Sequence, residues 1–150
     1  MTEDEKKVND LEIALENERK GYSDLISDVI KMINKLSNIS EAQVLMLSYR
    51  HMLVDKIIKY RSTLYKKKSS DSNYRKLRYE YYKTQHDVRL DYREINQYID
   101  SDMSLRIRQS ELLENHVNWF SQCIDTLDKL GFSIKNKIQI EEINAKINGM

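Results

Sequence analysis

The chain has 150 residues, which suits one domain with a hydrophobic core, and its formal net charge is only +1. It contains no proline and three glycines, which argues against a turn-rich β architecture that needs these residues at its corners. One residue in three is charged, and this composition favours an all-α fold, namely an elongated helical bundle with long antiparallel helices.

Residues 1–21 are predicted to form a loosely held acidic arm, followed by a single helical domain over residues 22–150. The arm has a weak helical pattern at Val8, Leu11 and Leu15, which we expect Gly21 to end or bend. A second helix is predicted from Ser23 to Leu36, where apolar residues recur with a helical period.

The next helix is predicted from Glu41 to about Tyr65. One face carries the apolar residues Met46, Tyr49, Leu53, Ile57, Tyr60 and Leu64. The same period points Lys59 and Lys66 towards solvent. Residues 66–73 are rich in Lys, Ser, Asp and Asn, so they are predicted to form a basic loop.

In the last third of the chain, Asp91 is predicted to cap a short helix that ends at Ile99. A long helix should follow from residues 100–102 to Leu130, with Leu113, Val117, Phe120, Ile124 and Leu127 on one face. Gly131 is predicted to stop it, and Ser133 to cap a final helix that reaches about Ile147.

The final helix is apolar on two sides, so it is the predicted C-terminal oligomerisation helix. One side can cover its own bundle, and the other can contact a neighbouring subunit. The candidate oligomerisation residues are Ile134, Ile138, Ile140, Ile143 and Ile147.

No constellation of residues in the sequence predicts catalysis. His116 and Cys123 share a helix face, but two ligands do not make a zinc site. Asp100 and Asp102 are interpreted as helix-capping acids rather than a catalytic pair, and no glycine-rich loop is present to hold phosphates. We therefore expect no enzyme activity, no catalytic or metal-binding residues and no cofactor.

The positive charge of the chain is concentrated between Lys56 and Arg89. This stretch holds eleven basic residues against three acids, and six of the ten tyrosines. Cations that track phosphates, interleaved with rings that stack under bases, are typical of a surface for single-stranded nucleic acid. A solvated helical face with the same composition is the alternative interpretation.

Two short motifs in the last third resemble the UvsY family of phage recombination mediators. They are Tyr98-Ile-Asp-x-Asp102 and Phe132-x-Ile-Lys-Asn-x-Ile138. Upstream, Lys59-Tyr-Arg61 followed by Tyr65 is similar to the Lys-x-Arg element that the family uses against single-stranded DNA. The resemblance covers roughly residues 40–148. The chain departs from the family near its end, where it has Gln139-Ile140 and Ile143 in place of the usual aromatic residues.

The resemblance implies a protein without enzyme activity that binds single-stranded DNA as a homo-oligomer, a closed ring of roughly six or seven subunits. It would act in the cytoplasm of the infected host cell, with no membrane association. Its other partners would be a RecA-like recombinase, which it loads, and the single-strand-binding protein that covers the DNA.

The candidate nucleic-acid-binding residues are Lys59, Arg61, Lys66, Lys67, Lys68 and Tyr65. Tyr60 lies on the apolar face and is interpreted as a core residue. The alternative function is a helical protein-interaction or assembly adaptor without a nucleic-acid role, whose basic segment would contact an acidic partner helix.

Overall fold

In the computed structural model, which describes residues 1–149, the chain forms three long α-helices. They are α1 (Glu3–Ile33), α2 (Ile39–Thr84) and α3 (Tyr92–Asn148), with a single 3₁₀ turn at Leu36–Asn38 between α1 and α2. No residue from 1 to 149 lies in a β-strand. The all-α fold class is therefore confirmed.

Two of the helices begin with a reciprocal capping box. At α1, the main-chain N–H of Glu5 donates to Thr2 Oγ1 at 3.1 Å, and that of Thr2 donates to the Glu5 carboxylate at 2.7 Å. At α3, the N–H of Glu94 donates to Asp91 Oδ1 at 2.8 Å, and that of Asp91 to Glu94 Oε2 at 3.4 Å. The predicted cap at Asp91 is confirmed.

The chain divides into two compact units, each built from one segment of every helix. The first unit contains residues 1–16 and 58–117, and the second contains residues 17–57 and 118–149. Each helix continues from one unit into the other, so the boundaries of the units lie within helices and not at their ends.

The core of the first unit buries apolar residues from all three helices. Val8 and Leu15 come from α1, Leu64 from α2 and Leu113 from α3. A further buried cluster lies beside the α2–α3 connection and consists of Tyr82, Ile95, Ile99 and Met103.

The core of the second unit has the same construction. Val29 of α1, Leu53 of α2, and Phe120 and Leu127 of α3 are almost completely inaccessible to solvent. The edge of the Tyr22 ring packs on Phe120 with 5.5 Å between the ring centroids. The apolar faces predicted around Leu53 and around Phe120 are thus buried.

Gly131 does not stop the last long helix, and Ser133 does not cap a new one. A glycine stop requires positive φ, and no glycine among residues 1–149 adopts it. Leu127 and Ile134 lie two turns apart and are both buried, and each contributes about 1.5–3 kcal/mol of burial. This outweighs the cost of about 1 kcal/mol for glycine in a helix. Ser133 instead donates to the main-chain oxygen of Lys129.

Two other predicted boundaries are also wrong. The helix that Asp91 caps does not end at Ile99 but continues through residues 100–102. α1 continues through Gly21. The separation into an arm (residues 1–21) and a domain (residues 22–150) stays a prediction, although Val8 and Leu15 of that arm are buried and Glu12 accepts a hydrogen bond from Arg108.

The predicted basic loop at residues 66–73 is wrong as well, because α2 passes through it without a break. Ser, Asp and Asn cost a helix up to about 0.7 kcal/mol each. Two hydrogen bonds from the Lys67 ammonium oppose this cost. One goes to Asp71 and the other to the main-chain oxygen of Arg106 in α3, both at 2.7 Å. Bonds of this charged kind contribute about 1.5–3 kcal/mol each.

Replacement of Leu53, which is 0% exposed, by alanine tests the assignment of the buried face of α2. We expect Leu53→Ala to lower the free energy of unfolding by about 2–5 kcal/mol, because it leaves a cavity. Leu77→Ala on the same helix is the matched control, because Leu77 is 70% exposed and should change stability by less than about 0.5 kcal/mol. Urea denaturation followed by circular dichroism measures both, and equal losses would contradict the assignment.

Candidate nucleic-acid interface

The candidate nucleic-acid-binding residues all lie on α2 within the first unit. They are Lys59, Arg61, Tyr65, Lys66, Lys67 and Lys68. Because this part of the chain is helical, its side chains have fixed directions. The helical period decides which of them face solvent.

Lys59 and Lys66 are seven residues apart, so they lie on one face of α2, and both are exposed. Arg61 is exposed as well, but it is two residues from Lys59 and therefore lies on a different side of α2. None of these three cations forms an ion pair with a carboxylate in residues 1–149. Tyr65 is 79% exposed, so its ring is accessible for stacking.

Lys67 faces in another direction and is committed to the fold. Its side chain is only 14% exposed, and its ammonium binds Asp71 and the main chain of Arg106. Removing it from these acceptors would break two charged hydrogen bonds. We therefore assign Lys67 a structural role, in contrast to its predicted role in binding nucleic acid.

Asp71 joins Lys67 to Arg106, whose guanidinium donates to Asp71 Oδ1 at 3.0 Å. Burial opposes ionisation of this carboxyl group, but the hydrogen bonds and charges of Lys67 and Arg106 outweigh it, so the pKa of Asp71 is lowered. The same guanidinium lies 4.1 Å above the Tyr74 ring. Tyr74 is thereby assigned to the contact between α2 and α3.

Much of the positive charge between Lys56 and Arg89 is neutralised by acids on the other helices. Lys68 pairs with Glu114 at 3.5 Å, but both side chains are about half exposed or more, so this ion pair is weak. Ion pairs with acids of other helices also form at Lys56, Arg75 and Arg78, whereas Lys67 pairs with Asp71 of α2 itself. The cations available to a ligand are therefore fewer than the sequence indicates.

Lys76 is an available cation that the sequence prediction omitted. It is exposed on α2 and forms no ion pair within residues 1–149. After Leu64 the apolar residues no longer show a clear helical period. The prediction therefore ended the helix near Tyr65 and placed a loop at residues 66–73, so Lys76 was not assigned to a helix face. Extending the helical period through Asn73 would have placed Lys76 on the surface.

A second polar cluster fixes the end of α2 to α3. Asp102 Oδ2 accepts hydrogen bonds from Arg78 Nε at 2.9 Å and from the Tyr82 hydroxyl at 2.6 Å. The pKa of Tyr82 is raised, first by burial and then by its hydrogen bond to Asp102. The pKa of Arg78 is also raised, because its guanidinium forms hydrogen bonds with Tyr82 and Asp102. The Tyr82 ring stacks on Tyr98 with centroids 5.3 Å apart. These rings belong to the fold.

The interpretation of Asp100 and Asp102 as helix caps is wrong. Both lie within α3, where Asp100 pairs with Arg75 at 3.4 Å and Asp102 with Arg78. Charge neutralisation between helices therefore explains these two acids.

The half-buried Tyr60 packs the edge of its ring on the buried His116 at 4.8 Å. This contact agrees with the interpretation of Tyr60 as a core residue.

The five candidate oligomerisation residues separate into two groups in the second unit. Ile134 is completely buried and Ile138 is half-buried within the chain itself. Ile140, Ile143 and Ile147 are 55–58% exposed. The exposed group forms an apolar stripe near the end of α3, called here the Ile140–Ile147 stripe. Ile134 cannot take part in a subunit contact while it is buried.

Metal-ligating clusters, the single cysteine and membrane spans were the remaining features of interest in the described residues. Residues 1–149 contain no group of three His, Cys, Asp or Glu side chains that could hold a metal ion. Cys123 is a buried free thiol, and burial raises its pKa, which disfavours the reactive thiolate. Within residues 1–149, no helix has the length and hydrophobicity needed to cross a membrane.

The Asp71 network makes a prediction about stability and pH. Asp71→Asn should lower the free energy of unfolding at neutral pH by about 1–3 kcal/mol, because it removes charged hydrogen bonds to Lys67 and Arg106. A lowered carboxyl pKa gives stability above pH 3.8, which is lost as the pH falls through the lowered value. The difference between wild type and Asp71→Asn should therefore disappear at the acid end of a pH series.

Asp128→Asn is the control, because it removes the half-exposed pair with Arg50. We expect a loss below about 1 kcal/mol from this variant. Chemical denaturation between pH 2 and pH 7 would measure both variants. A loss for Asp71→Asn that is independent of pH would contradict the role of the ionised carboxylate.

The chain was compared with protein-family models, curated proteins and solved structures, and none of them matches. These comparisons therefore contribute nothing to a functional proposal.

Proposed function

We propose that this protein is a single-stranded-DNA-binding recombination mediator. It would help to load a RecA-like phage recombinase onto strands covered by single-strand-binding protein. The observation that carries the proposal is that Lys59, Arg61 and Lys66 are exposed on α2 without acidic partners, and that the ring of Tyr65 on the same segment is exposed too. The resemblance of this segment and of the α3 motifs to the UvsY family supplies the biological context.

This segment has the chemistry that binding without sequence preference requires. Cations on a helix bind phosphates wherever a strand passes, and an aromatic ring stacks on any base. Three cations and one ring form a weak site. Several copies of the site on one assembly would bind a long strand much more tightly, through effective concentration.

The proposal includes a homo-oligomer in which the Ile140–Ile147 stripe contacts a neighbouring subunit. Exposed apolar residues at helical spacing support it, because water contact with such a stripe is unfavourable and a second copy would remove it. An elongated bundle of antiparallel helices, closed into a ring of subunits in the host cytoplasm, completes this proposal.

A protein-interaction adaptor is the second candidate, and one feature of the second unit favours it. Val44, Leu47 and Phe132 are about two-thirds exposed or more and line a groove of about 890 Å³. Such an apolar groove suits an amphipathic helix of another protein. An adaptor would show no preference for single strands over duplex DNA.

The DNA-binding proposal is tested with the double variant Lys59→Ala/Arg61→Ala. We expect weaker binding of a single-stranded oligonucleotide. The slope of the logarithm of the binding constant against the logarithm of the salt concentration should become shallower by about 1.4, since each phosphate contact contributes roughly 0.7. Fluorescence anisotropy at low and moderate salt measures both quantities.

The control for this experiment is Lys31→Ala/Lys129→Ala, which removes the same charge from exposed positions of the second unit. It should leave the salt dependence nearly unchanged. Equal effects of the two double variants would overturn the site. A wild-type chain that binds no single strand at low salt, or binds duplex equally well, would overturn the function.

The assembly proposal is tested with Ile140→Asp and Ile143→Asp. Each places a charge in the Ile140–Ile147 stripe, so we expect smaller particles in native mass spectrometry, with helix content retained in circular dichroism. Ile13→Asp is the control, because Ile13 is 56% exposed on α1 in the first unit. If the stripe variants keep the wild-type particle mass, the subunit contact lies elsewhere.

A further inference from the structure

A small cleft in the first unit lies outside the candidate residues that the sequence predicted. It occupies about 310 Å³ and is called here the α2–α3 cleft. Its lining includes Arg75, Lys76, Tyr79 and Glu80 from α2 and Tyr92 and Asn96 from α3. This volume is at the lower end of the range for pockets that bind small molecules, and it suits one nucleotide.

One cation of the cleft is unpaired, and a second is held only by a weak ion pair. Lys76 forms no ion pair within residues 1–149. Arg75 contacts Asp100 at 3.4 Å, with both side chains well exposed, so this pair contributes little and is easily exchanged. Arg78, one turn further along α2, is different because Asp102 and Tyr82 bind it closely.

The cleft also contains an aromatic ring that the fold does not use. Tyr92 is 73% exposed, although it lies in the first turn of α3 and its main chain is well held. Asp91 and Glu94 cap this turn, and Asn96 Nδ2 donates to the main-chain oxygen of Tyr92 at 2.8 Å. Tyr79 is half-buried against the Tyr82 cluster. A fixed backbone that presents an exposed ring is suited to stacking on a base.

The order of residues along the cleft gives a bound nucleotide a direction. Arg75 and Lys76 precede Glu80 by about one turn of α2. The carboxylate of Glu80 repels a phosphate and can accept a hydrogen bond from a base amino group. The phosphate therefore belongs at the end with the two cations, and the base at the end with Glu80 and Tyr92.

We propose that the α2–α3 cleft binds one nucleotide of a single DNA strand, with its phosphate on Arg75 and Lys76 and its base stacked on Tyr92. This inference rests on the proposed function, because it adds a second contact for the same ligand. It also assigns a role to a part of the basic stretch that had no predicted role.

The test uses the full-length chain and a single-stranded oligonucleotide that contains 5-iodouracil, which cross-links to a stacked aromatic ring under ultraviolet light. Mass spectrometry of the digested product should locate the cross-link at Tyr92. Tyr92→Ala should remove it and weaken binding about tenfold, which corresponds to the loss of one stacked base. Tyr92→Phe keeps the ring and should retain the wild-type affinity. Phe132→Ala is the control, because it removes an equally exposed ring from the second unit.

A variant that gains affinity tests the phosphate contact. Asp100→Asn releases Arg75 from its ion pair and should tighten binding several-fold. Asp125→Asn is the control, because it removes the same charge from an exposed position of the second unit. It should change affinity less than Asp100→Asn.

The outcomes separate the two proposals. If the wild-type chain binds single strands but Tyr92→Ala binds equally well, with cross-links at Tyr65 alone, the cleft is overturned and the proposed function stands. If the wild-type chain binds no single strand, both are overturned. If polyglutamate competes as well as DNA and Tyr92→Ala has no effect, the cleft is a site for an acidic peptide, which also overturns the inference.

Discussion

Two hydrogen bonds from the Lys67 ammonium, to Asp71 and to the main chain of Arg106, determine how the basic half of the chain is organised. They hold a segment of poor helix formers in α2 and fix it to α3. Because α2 is then continuous over 46 residues, every cation between Lys59 and Lys83 has a defined direction. Without these bonds, the poor helix formers of residues 66–73 would lose two of the contacts that oppose their cost in a helix.

Ion pairs between helices explain why net charge is a poor guide to the surface of this protein. The sequence places +8 between Lys56 and Arg89, but acids from α1 and α3 neutralise four of these bases. Exposed ion pairs add little to stability, and they hold cations that a phosphate could otherwise attract. The field that a strand would feel is set by the unpaired residues. Local pairing therefore matters more for binding than total charge.

The sequence predicted the apolar faces well and the helix ends poorly, for one physical reason. Leu53 and Phe120 belong to stripes with a helical period, and burial of such stripes dominates the energy of folding. Gly131 and residues 66–73 carry local stop signals of at most about 1 kcal/mol per residue, which contacts with another helix segment exceed. Those contacts join residues far apart in sequence, as Lys67 and Arg106 are, so a local pattern cannot reveal them. The candidate site was partly predictable for the same reason, since Lys59 and Lys66 follow the stripe whereas Tyr92 does not.

The two units differ in what they leave exposed. The first presents unpaired cations and the rings of Tyr65 and Tyr92, whereas the second presents the Ile140–Ile147 stripe and the groove lined by Val44, Leu47 and Phe132. Apolar surface drives association with protein, and cations beside rings favour nucleic acid. The proposed mediator would need both properties, because each subunit would contribute only a few phosphate contacts and several subunits would have to hold a strand at once.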